Sequence, residues 1–237
     1  MLTMLRHNLP MPRRPFRLAI LPVMVLTAMS GCVDAPTPRT GRATPSQGAP
    51  AALFSTPSAR TCLSNLSRTQ ASFTPLQDQY FGAGCSALNA VRLAALRTDG
   101  NRMELTNLGP VTCPLANAIS GWARFGVDRA ARQLLGSPLV RIETMGSYSC
   151  RKVAGTGRLS GHASANAVDI GGFVLADGRR ISVLRDWDSA SLQVRAFLGS
   201  VRDSACKRFG TVLTPDYNAA HRDHFHLEVG VSRPLCR

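Results

Sequence analysis

Cysteine usage constrains this fold more than any other feature. Cys62, Cys85, Cys113, Cys150, Cys206 and Cys236 are scattered at long spacings through a 237-residue chain that opens with an export-type leader. In an oxidising compartment an even set of such thiols is a disulfide framework. A structural zinc site is the competing use, and no CxxC pair occurs to support it. Three bridges are therefore expected. Their pairing is open from sequence, and joining neighbours in order (Cys62 with Cys85, Cys113 with Cys150, Cys206 with Cys236) is the simplest guess.

The leader is read from Arg13, Arg14 and Arg17, which precede an apolar run from Leu18 to Met29 that is too short and wrongly flanked to span a membrane. Met11 is an alternative start. The run ends in Met29-Ser30-Gly31-Cys32, which resembles the lipobox of bacterial lipoproteins, although Met29 stands where leucine is usual. The resemblance implies a signal peptide over 1–31 and lipidation of Cys32; ordinary signal cleavage with Cys32 as a spare thiol is the alternative. Residues 32–60 are rich in Pro, Ala, Thr, Ser and Gly and hold too few large apolar side chains to order themselves, so a disordered tether is expected. The remainder, 61–237, is the size of one domain with a proper core.

The formal charge is +14, and the four arginines of the first 31 residues leave +10 for the rest. Nearly all of it is arginine, with Lys152 and Lys207 as the lysines, and no basic run is interleaved with aromatics as a nucleic-acid surface would be. For an exported chain the charge points to anionic envelope polymers or lipid headgroups, and a solvated arginine-rich surface is the plainer reading. A monomer is expected.

From Pro114 to Leu135, Leu115, Ile119, Trp122, Ala123, Val127, Ala130 and Leu134 recur at helical spacing, with Arg124, Asp128, Arg129 and Arg132 opposite. Pro114 suits a first turn and Gly136-Ser137-Pro138 a stop. A second helix is expected over 189–209, burying Leu192, Phe197, Val201, Ala205 and Phe209. Short β-prone runs cover 139–143, 167–174, 181–184, 212–213 and 225–231, and Ala176-Asp177-Gly178-Arg179 signals a hairpin turn. The pattern predicts one α+β domain: a small, mainly antiparallel sheet flanked by helices and stapled by disulfides.

Four of the five histidines fall in two clusters, SGHASANAVDI and HRDHFHLE, each with an aspartate. On a strand, His224, His226 and Glu228 share one face while Phe225 and Leu227 enter the core. By the same alternation Val168 and Ile170 are buried and Asp169 turns the other way. His162 lies seven residues before Asp169, across small residues that can loop back. Imidazole and carboxylate suit a divalent metal, and a catalytic zinc takes three protein groups and leaves one position for water.

His162 through Asp169 fits SxHxxxxxxD, and His221, His224 and His226 fit HxxHxH, so the chain resembles zinc peptidases of the D-Ala-D-Ala carboxypeptidase, murein endopeptidase and lysostaphin type. GSYSCR, RLSGHASANAVDI, DGRRISVLRDW and PDYNAAHRDHFHLE resemble the bacterial extensin-like C-terminal domain family, from about Cys62 to Cys236. The resemblance implies His162, Asp169 and His226 as ligands of Zn2+, with His224 as base or oxyanion stabiliser and His221 as an auxiliary group. Asp223 occupies the position where the dipeptidase branch places a catalytic glutamate; on an extended strand it would face away, which favours His224. Glu228 is a candidate to orient an imidazole. Arg151 is a candidate to bind a substrate carboxylate, although Ser149 occupies the position of the relatives' arginine. Ala165 stands where those peptidases carry glycine.

The resulting expectation is a periplasmic, lipid-anchored zinc hydrolase acting on amide bonds in peptidoglycan peptides. The alternative is a non-catalytic lipoprotein that binds wall polymer with the same fold. A serine hydrolase is a distant third, since no GxSxG occurs.

Overall fold

The computed structural model describes residues 54–231 and 233–237; the leader, Cys32 and the tether up to residue 53 lie outside the described residues. Helix α1, Pro57–Arg68, starts at Pro57 after Thr56, whose hydroxyl accepts from the Ala59 amide at 3.2 Å. The folded part therefore reaches back into the stretch read as tether. Within that stretch Phe54 and Ala59 bury themselves in the core, a sparse signal that a composition count misses.

Six short strands follow: β1 (Ser72–Pro75), β2 (Gln79–Gly82), β3 (Cys85–Ala87), β4 (Ala90–Arg97), β5 (Arg102–Thr106) and β6 (Val111–Thr112). Next comes helix α2, Cys113–Trp122, which continues as π-helical turns over Ala123–Asp128 and Ala131–Leu135 until Gly136 adopts a left-handed φ of 71°. Strands β7 (Leu139–Gly146), β8 (Ala167–Leu175) and β9 (Arg180–Ser182) lead to a helical turn α3 (Val183–Asp186) and helix α4 (Leu192–Cys206). Strands β10 (Thr211–Leu213), β11 (Phe225–Glu228) and β12 (Leu235–Cys236) close the domain.

The result is a mixed α+β domain. Ten strands form one sheet in the order β1-β4-β5-β7-β8-β11-β10-β12, with β6 also on β4 and β9 also on β8; β2 and β3 make a separate hairpin. The sheet is mainly antiparallel as expected, with β5–β7 and β10–β12 as its parallel pairings. It is larger than the small sheet read from sequence, which placed no strand before residue 139: the interior strands β4, of eight residues, and β5, of five, add to it, as do β1, β6 and β12, whose two to four residues are too short to show a period. The hairpin turn after β8 is present, with Gly178 at φ 88° and the Asp177 carboxylate accepting from the Arg179 amide at 3.0 Å.

One face of the sheet is sealed by helices. Val168, Ile170 and Phe173 of β8, Ile142 of β7, and Phe225 and Leu227 of β11 join Leu115, Ile119, Trp122, Phe197 and Val201 in one core. Trp122 meets Phe173 and Phe209 edge-on at 6.1 and 6.0 Å, and its indole N–H donates to the Val201 carbonyl at 3.1 Å. Gly126 lets the extension of α2 lie directly on Ser204 of α4, where any β-carbon would collide. Two expectations fail here. Asp128, read as part of the polar face, is fully buried, accepting from the Leu139 amide and from Arg132, both at 2.9 Å; the π turns shift the helical phase away from the 3.6-residue spacing. Leu192, expected in the core, is 70 % exposed, because α4 starts there, after its cap Ser191.

Three disulfides staple the domain. Cys206–Cys236 pairs as guessed, whereas the others join Cys62 to Cys113 and Cys85 to Cys150, with Cα separations of 6.1 and 5.6 Å. The neighbour rule fails because α1 packs on the start of α2, and the β2–β3 hairpin lies beside the loop that follows β7. Among the described residues no helix is long and apolar enough to cross a membrane.

Candidate metal centre

The open face of the sheet carries the chemistry. In β8, alternation buries Val168 and Ile170 and turns Asp169 to the side away from the helices. Strand β11 pairs antiparallel with β8, in a register that sets His226 directly opposite Asp169. Phe225 and Leu227 anchor that register by filling the core on the other side.

His162 arrives from a different direction, on a 3-10 turn, Gly161–Ser164, capped by Ser160. The loop behind it is held by the Thr112 hydroxyl donating to Asn166 at 2.7 Å and by the Thr112 amide donating to the Ala165 carbonyl at 2.9 Å. Ala165 itself sits at φ 55°, a left-handed conformation costing a β-carbon about 1–2 kcal/mol.

These elements bring together His162, Asp169 and His226, whose ligand atoms all lie within 4.8 Å of one another. The Nε2 of His162 is 3.1 Å from Nδ1 of His226 and 3.2 Å from Asp169 Oδ2, and His226 Nδ1 is 3.0 Å from Asp169 Oδ1. Donors about 2.0–2.1 Å from a tetrahedral zinc stand about 3.3–3.4 Å apart, so the set needs little rearrangement to fit one. Each imidazole also has an outer partner. His162 donates from Nδ1 to the Ser147 carbonyl, and His226 places Nε2 3.4 Å from Glu228 Oε2. Such contacts fix the tautomer that aims the remaining nitrogen inward. Gly161 leaves the space that the Glu228 carboxyl occupies.

Burial and hydrogen bonding set the charges within the cluster. Burial opposes charge on both partners. Even so, hydrogen bonds from His162 and His226 hold Asp169 well below the usual carboxylate range, and those to Asp169 and Glu228 raise His226 to about 9. A protonated His226 would lie between the Asp169 and Glu228 carboxylates.

The remaining predicted residues gather round. His224 directs Nε2 to within 3.6 Å of Asp169 Oδ1 and donates from Nδ1 to Asp223 at 2.7 Å. Asp223 precedes β11 rather than lying on it, so it does not face away from His224 but orients that imidazole. His221 lies with its ring tilted 5.2 Å from that of His224 and bonds through Nδ1 to Asn218 at 2.7 Å; burial, with His224 and His226 close by, lowers it to about 4. Arg151 is half-exposed, its guanidinium 4.0 Å from Asp169, on a loop tied down by Cys85–Cys150.

A family model described as the extensin-like protein C-terminus matches residues 60–237. The chain belongs to that family. Comparisons with curated proteins and with solved structures find no match. In this extensin-like domain, sequence reasoning missed a groove of about 350 Å³ that runs from Asp223 past Gly171 to Glu143 and Arg180. Its signal was Gly171-Gly172 inside a β-prone run, since glycine in a strand marks a bulge or a close approach. Gly171 is the bulge: Glu143 pairs with Gly172 and Thr144 with Ile170, skipping it. The Glu143–Arg180 ion pair, at 2.6 Å, crosses above Gly172, where a β-carbon would lie 2.9 Å from the Glu143 carboxylate. Two interior strand glycines cost about 1–2 kcal/mol together, while a half-exposed ion pair contributes at most about 1 kcal/mol. The trough is therefore not explained by stability.

Proposed function

We propose that this protein is a zinc-dependent hydrolase of amide bonds in peptidoglycan peptides, exported and held in the cell envelope by a lipid on Cys32. The observation that carries the reading is the convergence of two imidazole nitrogens and a carboxylate, 3.0 to 3.2 Å apart, beside a histidine backed by its own aspartate. The motifs shared with D-Ala-D-Ala carboxypeptidases and murein endopeptidases point the same way, and that relationship is part of the proposal.

His162, Asp169 and His226 are the residues that would hold zinc, which when bound polarises a carbonyl and lowers the pKa of water to about 7. His224 is the general base: Nε2 takes the proton of the attacking water and returns it to the departing amine. Asp223, bonded to Nδ1, fixes that tautomer and steadies the imidazolium. His221 stays neutral beside it and limits repulsion when His224 is charged. Arg151, half-exposed and 4.0 Å from Asp169, would bind a substrate carboxylate. The net charge of +10 outside the leader suits attraction to anionic wall polymer.

The test is incubation of the zinc-loaded protein with purified muropeptides, with and without chelator, followed by product analysis. New amine termini that chelator abolishes are expected; unchanged muropeptides would overturn the proposal.

A further inference from the structure

The groove beside the metal centre has the chemistry of a second recognition element. Its floor is the glycine bulge of β8, and its polar end is the Glu143–Arg180 pair, a carboxylate and a guanidinium 2.6 Å apart, each still partly open to solvent. Its walls carry Met145 and Leu184, which are 51 % and 50 % exposed although they are large and apolar. Asp223, which orients His224, lines the same groove, so the groove and the candidate centre share that residue.

We infer that this groove binds a residue carrying both a free ammonium and a free carboxylate, such as the side-chain end of a diamino dicarboxylic acid in a wall peptide. The inference rests on the hydrolase reading for its substrate class, and it deepens that reading by naming what the peptide must present.

Glu143 and Arg180 now satisfy each other. A zwitterionic group replaces that one pair by two, ammonium on Glu143 and carboxylate on Arg180, and leaves no charge unpaired. A lone anion meets Glu143 as a like charge and a lone cation meets Arg180, so the pair rejects singly charged groups. Gly171 and Gly172 hold the trough open, since a side chain at 172 would press on the Glu143 carboxylate and the Ile181 carbonyl, and one at 171 would crowd Met145. Met145 and Leu184 supply the contact for the aliphatic stem between the charged end and the scissile bond.

The test is calorimetric binding to the full chain, metal-free and zinc-loaded, of three peptides: one ending in a diamino dicarboxylic residue with both groups free, its N-acetyl form and its amide form. The free form is expected to bind about tenfold more tightly than either blocked form. Glu143→Gln should erase discrimination against the acetyl form, and Arg180→Gln discrimination against the amide. A double exchange, Glu143→Arg with Arg180→Glu, should keep part of the preference. Equal binding of the three peptides, or binding of none, overturns the inference. Discrimination without hydrolysis upholds the groove and counts against the hydrolase alone; hydrolysis without discrimination does the reverse.

Discussion

Strand β8 has two faces built on opposite principles. Toward the helices, Val168, Ile170 and Phe173 are fully buried among other apolar side chains. Toward the open side, the same strand presents Asp169, Gly171 and Gly172: a nearly buried carboxylate among three histidines, then a bulge with no side chains. The first face is where the chain gains its stability, at about 1.5–3 kcal/mol per large apolar side chain. The second gives some of it up for geometry. The comparison teaches that the two can be disturbed separately, because alternation puts them on one backbone without shared contacts.

Breaking the apolar face should produce the largest loss of stability. Phe173→Ala removes a ring packed against Trp122, Phe197 and Phe225, and should lower unfolding free energy by about 3–5 kcal/mol in denaturant titrations. His224→Ala, on the other side, should leave the melting temperature and zinc content near the wild-type values while reducing muropeptide turnover by about 10²–10⁴-fold. If the two variants failed in the same assay and to the same degree, the separation of faces would be wrong.

The open face should also respond to pH where the apolar face does not. His226 is raised above its unfolded value, so its contribution in the metal-free protein is fully present below about pH 6.5 and is lost as pH rises through about 9, amounting to about 3 kcal/mol. Zinc needs the neutral imidazole. Its apparent affinity should climb about tenfold per pH unit up to about 9 and then level off, with roughly one proton released per ion, measurable by calorimetry in buffers of different ionisation enthalpy. An affinity flat between pH 7 and 9 would contradict the protonated bridge between Asp169 and Glu228.

Smaller effects sharpen the contrast. Glu228→Gln should weaken zinc by about 10–100-fold without touching the core, since it withdraws the partner of His226 Nε2. Gly126→Val, remote from the site, should cost about 1–3 kcal/mol in stability by forcing α2 from Ser204, with turnover at low temperature unchanged.

The parts of this architecture legible in the sequence are those with a strict period. FHLE and AVDI alternate cleanly, and that alternation fixes which residues face the core and hence which imidazole and carboxylate face each other. The Pro114 start and Gly136 stop of α2 and its extension were readable for the same local reason. What was illegible depends on distant partners. Of the strands between residues 72 and 112, β1 and β6 are too short to show a period and are defined by their pairing with β4, while β5 is defined by its place between β4 and β7. Disulfide connectivity follows from which elements pack together, not from order along the chain. At the site, Asp169, His162 and His226 were nameable, but the Ser147 carbonyl behind His162 was not, since a backbone acceptor leaves no trace in side-chain identity.

The central claim is that one cation belongs among His162, Asp169 and His226, and elemental analysis of the purified protein beside its Asp169→Asn variant tests it most directly. About one zinc per chain in the wild type and none in a folded variant is the predicted result. A wild type that binds no metal after zinc dialysis, or a variant that keeps its full complement, would contradict it.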